Sequence, residues 1–313
     1  MNILKRLVLF AVVLAMATFA VQAGNFDYQL QAQKVAKDTY VFVGKTEDFS
    51  FENGGNIVNT GFIVTTAGVI VIDTGPSLRY GKQMKSAIAS VTDKSINRVY
   101  LTHHHPDHFL GNLAFEGTPI YALSTTAENI KNEGAGFADN LYLMVGDWMR
   151  GTDSFQPTKI AKAGRVLLGG HDIEILSYSG HTSGDMAILD NTTGVLFSGD
   201  LIFHKRTLTT PHANIDKWLA TIDSLNKLPF KVLVPGHGPI SRDKTALSGM
   251  SSYLRWLDKT LEKAAKKGLS MTETMRLDLP QSFASNSLLK QEFSRSVVHL
   301  FPSYESRVFK RVN

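Results

Sequence analysis

Cysteine is missing from all 313 residues. Its absence rules out disulfides, thiolate metal ligands and a lipoprotein anchor on a lipidated cysteine, so passage through an oxidising compartment would leave any site undamaged. The amino-terminal apolar run, residues 7–20, falls short of the roughly 20 residues that span a bilayer comfortably. It follows Lys5 and Arg6 and ends in the small-residue stretch Val21-Gln22-Ala23, the pattern of a secretory signal peptide over residues 1–23, cleaved after Ala23. An uncleaved anchor is the alternative; with cleavage the mature chain is periplasmic or secreted and keeps no stable membrane insertion. Strong charge of either sign is also lacking. The formal charge of +5 drops to +3 when Lys5 and Arg6 leave. That is too weak to argue for nucleic acid, and no basic run carries interleaved aromatics; residues 263–267 read as the solvated end of a helix. Repeats and low-complexity linkers are absent as well. With 43% hydrophobic residues the chain reads as an ordinary globular protein, one large domain with an extension.

β-Rich runs alternate with amphipathic stretches along the mature chain. Strands are expected at residues 39–43, 57–64, 69–72, 98–101, 120–122, 165–168, 172–177, 186–190, 194–198 and 231–234. Several are apolar on both sides and require cover on both faces, which helical patterns at 80–91, 126–132, 138–150 and 215–227 can supply. Residues 244–267 place Leu247, Met250, Leu254, Leu257 and Leu261 on one helical face, and Ser270 with Glu273 forms a capping box. Residues 24–243 are therefore read as one domain, and 244–313 as a C-terminal helical extension packed on it, at the cleft or at a dimer contact.

The densest chemistry lies in His103-His104-His105-Pro106-Asp107-His108, five ionisable ligand side chains in six residues after a strand-like run. Burying them together without partners is costly, and a divalent cation is their natural stabiliser. A solvated polar loop would serve as well if the hexapeptide stood alone. Downstream, however, come His181 in Ser179-Gly180-His181-Thr182, Asp200 in Ser198-Gly199-Asp200 and His237 in Pro235-Gly236-His237-Gly238, each just after an apolar run. Glycine beside each lets the backbone approach an ion without a Cβ clash. Asp73, in Val71-Ile72-Asp73-Thr74-Gly75, reads either as a residue orienting a ligand or as a turn former.

From about residue 56 to 237 these motifs resemble the metallo-β-lactamase superfamily of hydrolases. The resemblance implies a four-layered αβ/βα sandwich with a metal cleft at one edge of its two sheets. It implies one metal on His103, His105 and His181, a second on Asp107, His108 and His237, and Asp200 as the bridge. Two Zn²⁺ are the expected ions, with iron or manganese as alternatives. Three protein ligands with an open position suit catalytic zinc, and a metal-bridging hydroxide would attack the substrate. Asp107 and Asp200 are the expected catalytic carboxylates, and Asp73 the residue that orients a ligand.

At the position of Asp200 the β-lactamases of this superfamily usually carry Cys or Ser. Asp points instead to hydrolases of ester, thioester, lactone or related bonds, with lactams disfavoured. Softer similarity over residues 56–75 and 201–212 is to the exported zinc metallohydrolases of quinoprotein relay systems and sulfur-oxidation operons. Two alternatives stay open: a mononuclear iron persulfide dioxygenase, and a non-catalytic metal-bound accessory protein of a periplasmic quinoprotein dehydrogenase. The expected ligand is a small-molecule substrate. His204, Arg206 and His212 follow Asp200 in a loop opening beside the metals, with Arg206 and His204 as candidates for substrate binding. His104 is expected behind the ligands or facing solvent, His171 in a hairpin turn, and His299 in a core. Tyr142, Met144, Trp148 and Met149 form a stripe that is either core or the apolar wall of a pocket.

Overall fold

A computed structural model describes residues 26–310; the expected signal peptide lies outside the described residues. Strands β1 (Gln33–Ala36), β2 (Thr39–Phe42), β3 (Thr60–Thr65), β4 (Gly68–Ile72), β5 (Ile96–Tyr100), β6 (Ile120–Ala122) and β7 (Lys159–Ile160) form one sheet in sequence order. β1 to β4 pair antiparallel, and β4 to β7 pair parallel. The second sheet has the order β12-β11-β10-β9-β8, from β8 (Gly164–Leu168), β9 (His171–Tyr178), β10 (Asp185–Asp190), β11 (Val195–Phe203) and β12 (Val232–His237). Only β11 and β12 run parallel there.

Three apolar clusters give the layers. Ile63, Ile70, Ile72, Ile175, Ile188 and Phe197 meet between the sheets. On the outer face of the first sheet, Val69, Val71 and Val99 pack on α1 (Leu78–Ala89), α2 (Pro106–Phe109) and α3 (Ser124–Val145). On the outer face of the second, Ala187, Leu196 and Leu233 pack on α4 (Ile215–Leu225), α5 (Thr245–Lys266) and α7 (Leu289–Lys310). The result is the expected helix–sheet–sheet–helix sandwich. Strands β4, β10, β11 and β12 are buried along their whole length, as two-sided apolar runs require.

Several segments depart from the sequence expectation: β1 and β7 are not among the expected strands, and β11 runs past residue 198 through Asp200 to Phe203. The helices expected at 126–132 and 138–150 are one continuous α3, closed by a 3-10 turn at Gly146–Met149. Gly134 does not break it, because it is a close-packing position where a Cβ would lie 2.1 Å from Ser154 Oγ. The strand expected from residue 57 starts at Thr60, since Asn59 spends its side chain across the sandwich. Its Nδ2 donates to the carbonyls of Pro235 and Gly238 at 2.8 and 2.7 Å, and its Oδ1 accepts from the Gly44 amide. The capping box at Ser270 and Glu273 is present and opens the short α6 (Met271–Thr274). Among the described residues no helix is long and apolar enough to cross a membrane.

Candidate metal centre

Pro106 occupies the start of α2, where a missing N–H costs nothing. It holds the preceding His105 in extended backbone, φ −73° and ψ 149°. Residues 103–105 therefore alternate sides, so that His103 and His105 face one way and His104 the other, while Asp107 and His108 leave from the helical turn. His181 comes from the loop between β9 and β10, Asp200 from within β11 and His237 from the end of β12. Parallel pairing of β11 with β12 carries the last two to the same edge of the sandwich. Gly236 makes their approach possible, as a Cβ there would lie 1.9 Å from Asp200 Oδ1.

All seven side chains are buried, none more than 5% exposed. His103, His105, His181 and Asp200 bring ligand atoms within 4.8 Å of one another, and so do Asp107, His108 and His237. Asp200 stands between the groups. Its Oδ2 lies 3.3 Å from His181 Nε2 and 3.2 Å from His237 Nε2, and its Oδ1 lies 3.1 Å from His108 Nε2. His237 Nε2 is also 3.3 Å from Asp107 Oδ2. Yet His103 Nε2, His108 Nε2 and Asp200 Oδ1 make no hydrogen bond, although fully enclosed. Orphaned lone pairs converging in a buried pocket are costly, and a divalent cation is what such a nitrogen and carboxylate set accommodates.

The electrostatics agree. Burial holds His103 and His105 well below the ordinary histidine range, so both stay neutral and able to ligate. For Asp200 and Asp107 burial works in the opposite sense, but the neighbouring His237 and His108 hold both carboxyls below their usual range, that of Asp200 well below. The same attraction holds His108 and His237 above the ordinary histidine range despite their burial, so a cation ligated there would take the place of their protons.

A second ring of contacts fixes the donors. Asp73 Oδ2 is 2.7 Å from His108 Nδ1, and Asp73 Oδ1 accepts the Thr102 amide at 2.7 Å. This assigns the His108 proton to Nδ1 and turns Nε2 inward. Asp73 does so from a left-handed backbone, φ 56°, which Asp tolerates better than most residues; it is both turn former and orienting residue. His237 Nδ1 donates to the Ile57 carbonyl at 2.8 Å. Thr182, beside His181, donates through N and Oγ1 to Asp185, bracing that loop. Trp218 backs the His181 ring at 5.0 Å between centroids.

The remaining sequence candidates separate. His204 turns away: its Nδ1 donates to the Pro239 carbonyl, and it lines a different cavity, against α5. Arg206 reaches the metal cleft but is 4% exposed and not free, with Nη2 3.5 Å from Glu292 Oε1 and Nη1 donating to the Thr207 carbonyl. His104 is fully buried, not solvent-facing, with both ring nitrogens unpartnered. His171 opens β9 just after the Gly169-Gly170 turn, with Nδ1 2.8 Å from Asp190. His299 is not a core residue; it reaches the cleft, with Nδ1 3.3 Å from Thr210 Oγ1. Of the aromatic and Met stripe, Trp148 and Met149 are core, Tyr142 is exposed and Met144 lines the cleft.

The cleft over the metal cluster has a volume of about 330 Å³. Ile57, Phe49, Phe137 and Met144 form its apolar wall. Opposite stand Arg206, Arg295, Asp48 and Glu292, two guanidiniums against two carboxylates. Sequence reasoning missed Asp48, Glu292 and Arg295, because no local motif marks charges drawn from such distant segments.

The family model described as metallo-beta-lactamase superfamily matches residues 53–237. The chain belongs to this superfamily. A linear primary-alkylsulfatase from Pseudomonas sp. is 22% identical over 280 residues, 74% of this chain and 52% of that protein, so the chain spans about half its length. The acyl-coenzyme A thioesterase MBLAC2 of Homo sapiens is 24% identical over 60% of this chain and 75% of its own. A hydroxyacylglutathione hydrolase from Hyphomonas neptunium is 24% identical over 71% and 84%. Among solved structures, a metallo-beta-lactamase from Pontibacter korlensis superposes with a TM-score of 0.59 at 23% identity, covering 72% of this chain and 99% of that one. The fold is thus that of the superfamily, and the donor set at its cleft suits divalent metal ions.

Proposed function

We propose that this chain is a periplasmic, zinc-dependent hydrolase that holds two ions and cleaves an ester or thioester. The observation that carries the reading is Asp200, whose two carboxylate oxygens face both donor groups at 3.1 to 3.3 Å. His103, His105 and His181 would hold one ion and Asp107, His108 and His237 the other, with Asp200 shared. Ions bound there would supply hydroxide at neutral pH and a Lewis acid for the substrate carbonyl. Asp107, on the cleft side, orients the attacking oxygen. Phe137 and Met144 exclude water from the acyl group. No protein nucleophile is required.

Asp rather than Cys or Ser at position 200 sets the chain apart from the β-lactamases. The relatives named for acyl-coenzyme A and hydroxyacylglutathione hydrolysis support thioesters, and the alkylsulfatase supports a broader ester class. Within the superfamily we place the chain beside the exported zinc metallohydrolases of quinoprotein relay systems and sulfur-oxidation operons, on residues 56–75 and 201–212. Export rests on residues 1–23.

The test is metal content by mass spectrometry on protein recovered from the periplasm without chelators or added metal, followed by a thioester, ester, lactone and lactam screen. Two zinc ions and thioester or ester turnover are expected. One iron would overturn the reading in favour of persulfide oxidation. Two zinc ions with no turnover of any substrate would overturn it in favour of an accessory role beside a periplasmic dehydrogenase.

A further inference from the structure

His105 has a second partner behind the metal cluster. Its Nδ1 lies in the cluster, 2.8 Å from His181 Nε2, while its Nε2 lies 2.8 Å from His212 Nδ1. His212 Nε2 in turn lies 3.2 Å from Glu133 Oε2. Three segments meet here: the loop after β5, the loop after β11 and the middle of α3. Buried His104 packs against the His212 ring at 4.9 Å between centroids, and Phe137 closes the side at 6.5 Å. His212 and Glu133 keep 34% and 39% of their side chains exposed, so the chain of contacts runs from the buried cluster to the surface.

Tautomer arithmetic gives this row a direction. A nitrogen that ligates a metal carries no proton, so if His105 ligates through Nδ1, its proton sits on Nε2 and is donated to His212 Nδ1. His212 must then carry its own proton on Nε2, where the Glu133 carboxylate accepts it. Each step fixes the next, and the carboxylate at the end favours positive charge moving outward from His105.

We propose that His212 and Glu133 are positioning residues forming a histidine–carboxylate relay that locks the tautomer and ring orientation of His105 and thereby strengthens one of the two metal positions. The inference rests on the reading that His105 is a ligand. It gives His212, two residues beyond Thr210 in the sequence, a role that neither Arg206 nor His204 shares. It also accounts without a further ion for the close approach of His104, His105 and His212, whose ring nitrogens lie within 4.8 Å of one another, because the proton on His105 Nε2 occupies the line to His212 Nδ1.

The experiment compares wild type, His212→Leu, His212→Asn and Glu133→Gln as full-length exported protein, titrated with Zn²⁺ against a chromophoric chelator and with Co²⁺ by visible absorption. Leucine removes the acceptor, whereas the amide oxygen of asparagine can replace Nδ1. His212→Leu is expected to weaken one of the two ions by about 10- to 100-fold and to change the absorption of that Co²⁺ alone. His212→Asn should restore most of the affinity, and Glu133→Gln should weaken the same ion by a smaller factor. Equal affinities in wild type and His212→Leu would overturn the relay, as would loss of both ions together without rescue by asparagine. A third ion in wild type that disappears in Glu133→Gln would also overturn it. Wild type that binds no metal would sink the metal-centre reading itself, and the relay with it.

Discussion

The floor and the far wall of the cleft are built on opposite terms. In the floor, seven donors sit on strands, short loops and one helical turn, all but sealed from water, and a second ring of contacts from Asp73, Thr102 and the Ile57 carbonyl holds them. In the wall, Asp48 and Arg295 pair across 247 residues of sequence with part of each side chain in solvent. The floor fixes individual donor atoms through hydrogen bonds, whereas the wall shapes a volume and balances charge. Chemistry demands the first, and choice of substrate requires only the second.

The sharpest way to break this contrast is Asp200→Ala, which should empty both metal positions and bring turnover to background; metal mass spectrometry and activity read it together. Full metal content with activity retained would show that the floor does not depend on its shared carboxylate. Asp73→Asn keeps a residue suited to left-handed backbone but leaves His108 Nδ1 facing an amide. It should weaken metal binding by about 10- to 100-fold, measured by chelator competition. On the apolar wall, Met144→Ala should raise KM by roughly tenfold with kcat little changed, as removal of uniform apolar binding does. A fall in kcat instead would make that side chain part of the reaction geometry.

The smallest effect is expected at Asp48. Burial opposes its ionisation, but the bond and charge of Arg295 outweigh burial and hold its carboxyl below the usual value of 3.8. A depressed carboxyl contributes stability that is present above 3.8 and lost as pH falls through the lower folded value. Wild type should therefore be more stable than Asp48→Asn in urea unfolding at pH 6 to 7, by less than about 1 kcal/mol after solvent screening. The gap should close as pH drops below the unfolded value. A gap that widens in acid would reverse the sign of the pair.

How much of this could be read from the chain follows the same division. The floor was legible because His103 to His108 are contiguous and His181, Asp200 and His237 each follow an apolar strand beside a glycine. The layers were legible because runs such as Val69 to Ile72 are apolar on both sides. Arg206 illustrates what was hidden: its position in the loop pointed correctly to the cleft, but its partner Glu292 lies on α7, and no local pattern links them. Glu133 was hidden for another reason. With α3 expected as two helices, that carboxylate fell in a gap rather than on the rigid face that carries it to His212. His204 failed because sequence distance from Asp200 does not say which way a strand-end side chain turns.

The hexapeptide that makes the floor legible also carries a consequence for folding. Four imidazoles and a carboxylate within six residues give the unfolded chain a place to capture zinc before His181, Asp200 and His237 have been brought together. Metal bound to the unfolded state subtracts from the stabilisation that metal gives the folded one. Zinc should then protect this protein less than its folded-state affinity implies, and refolding into excess zinc should be slower than refolding first and loading afterwards.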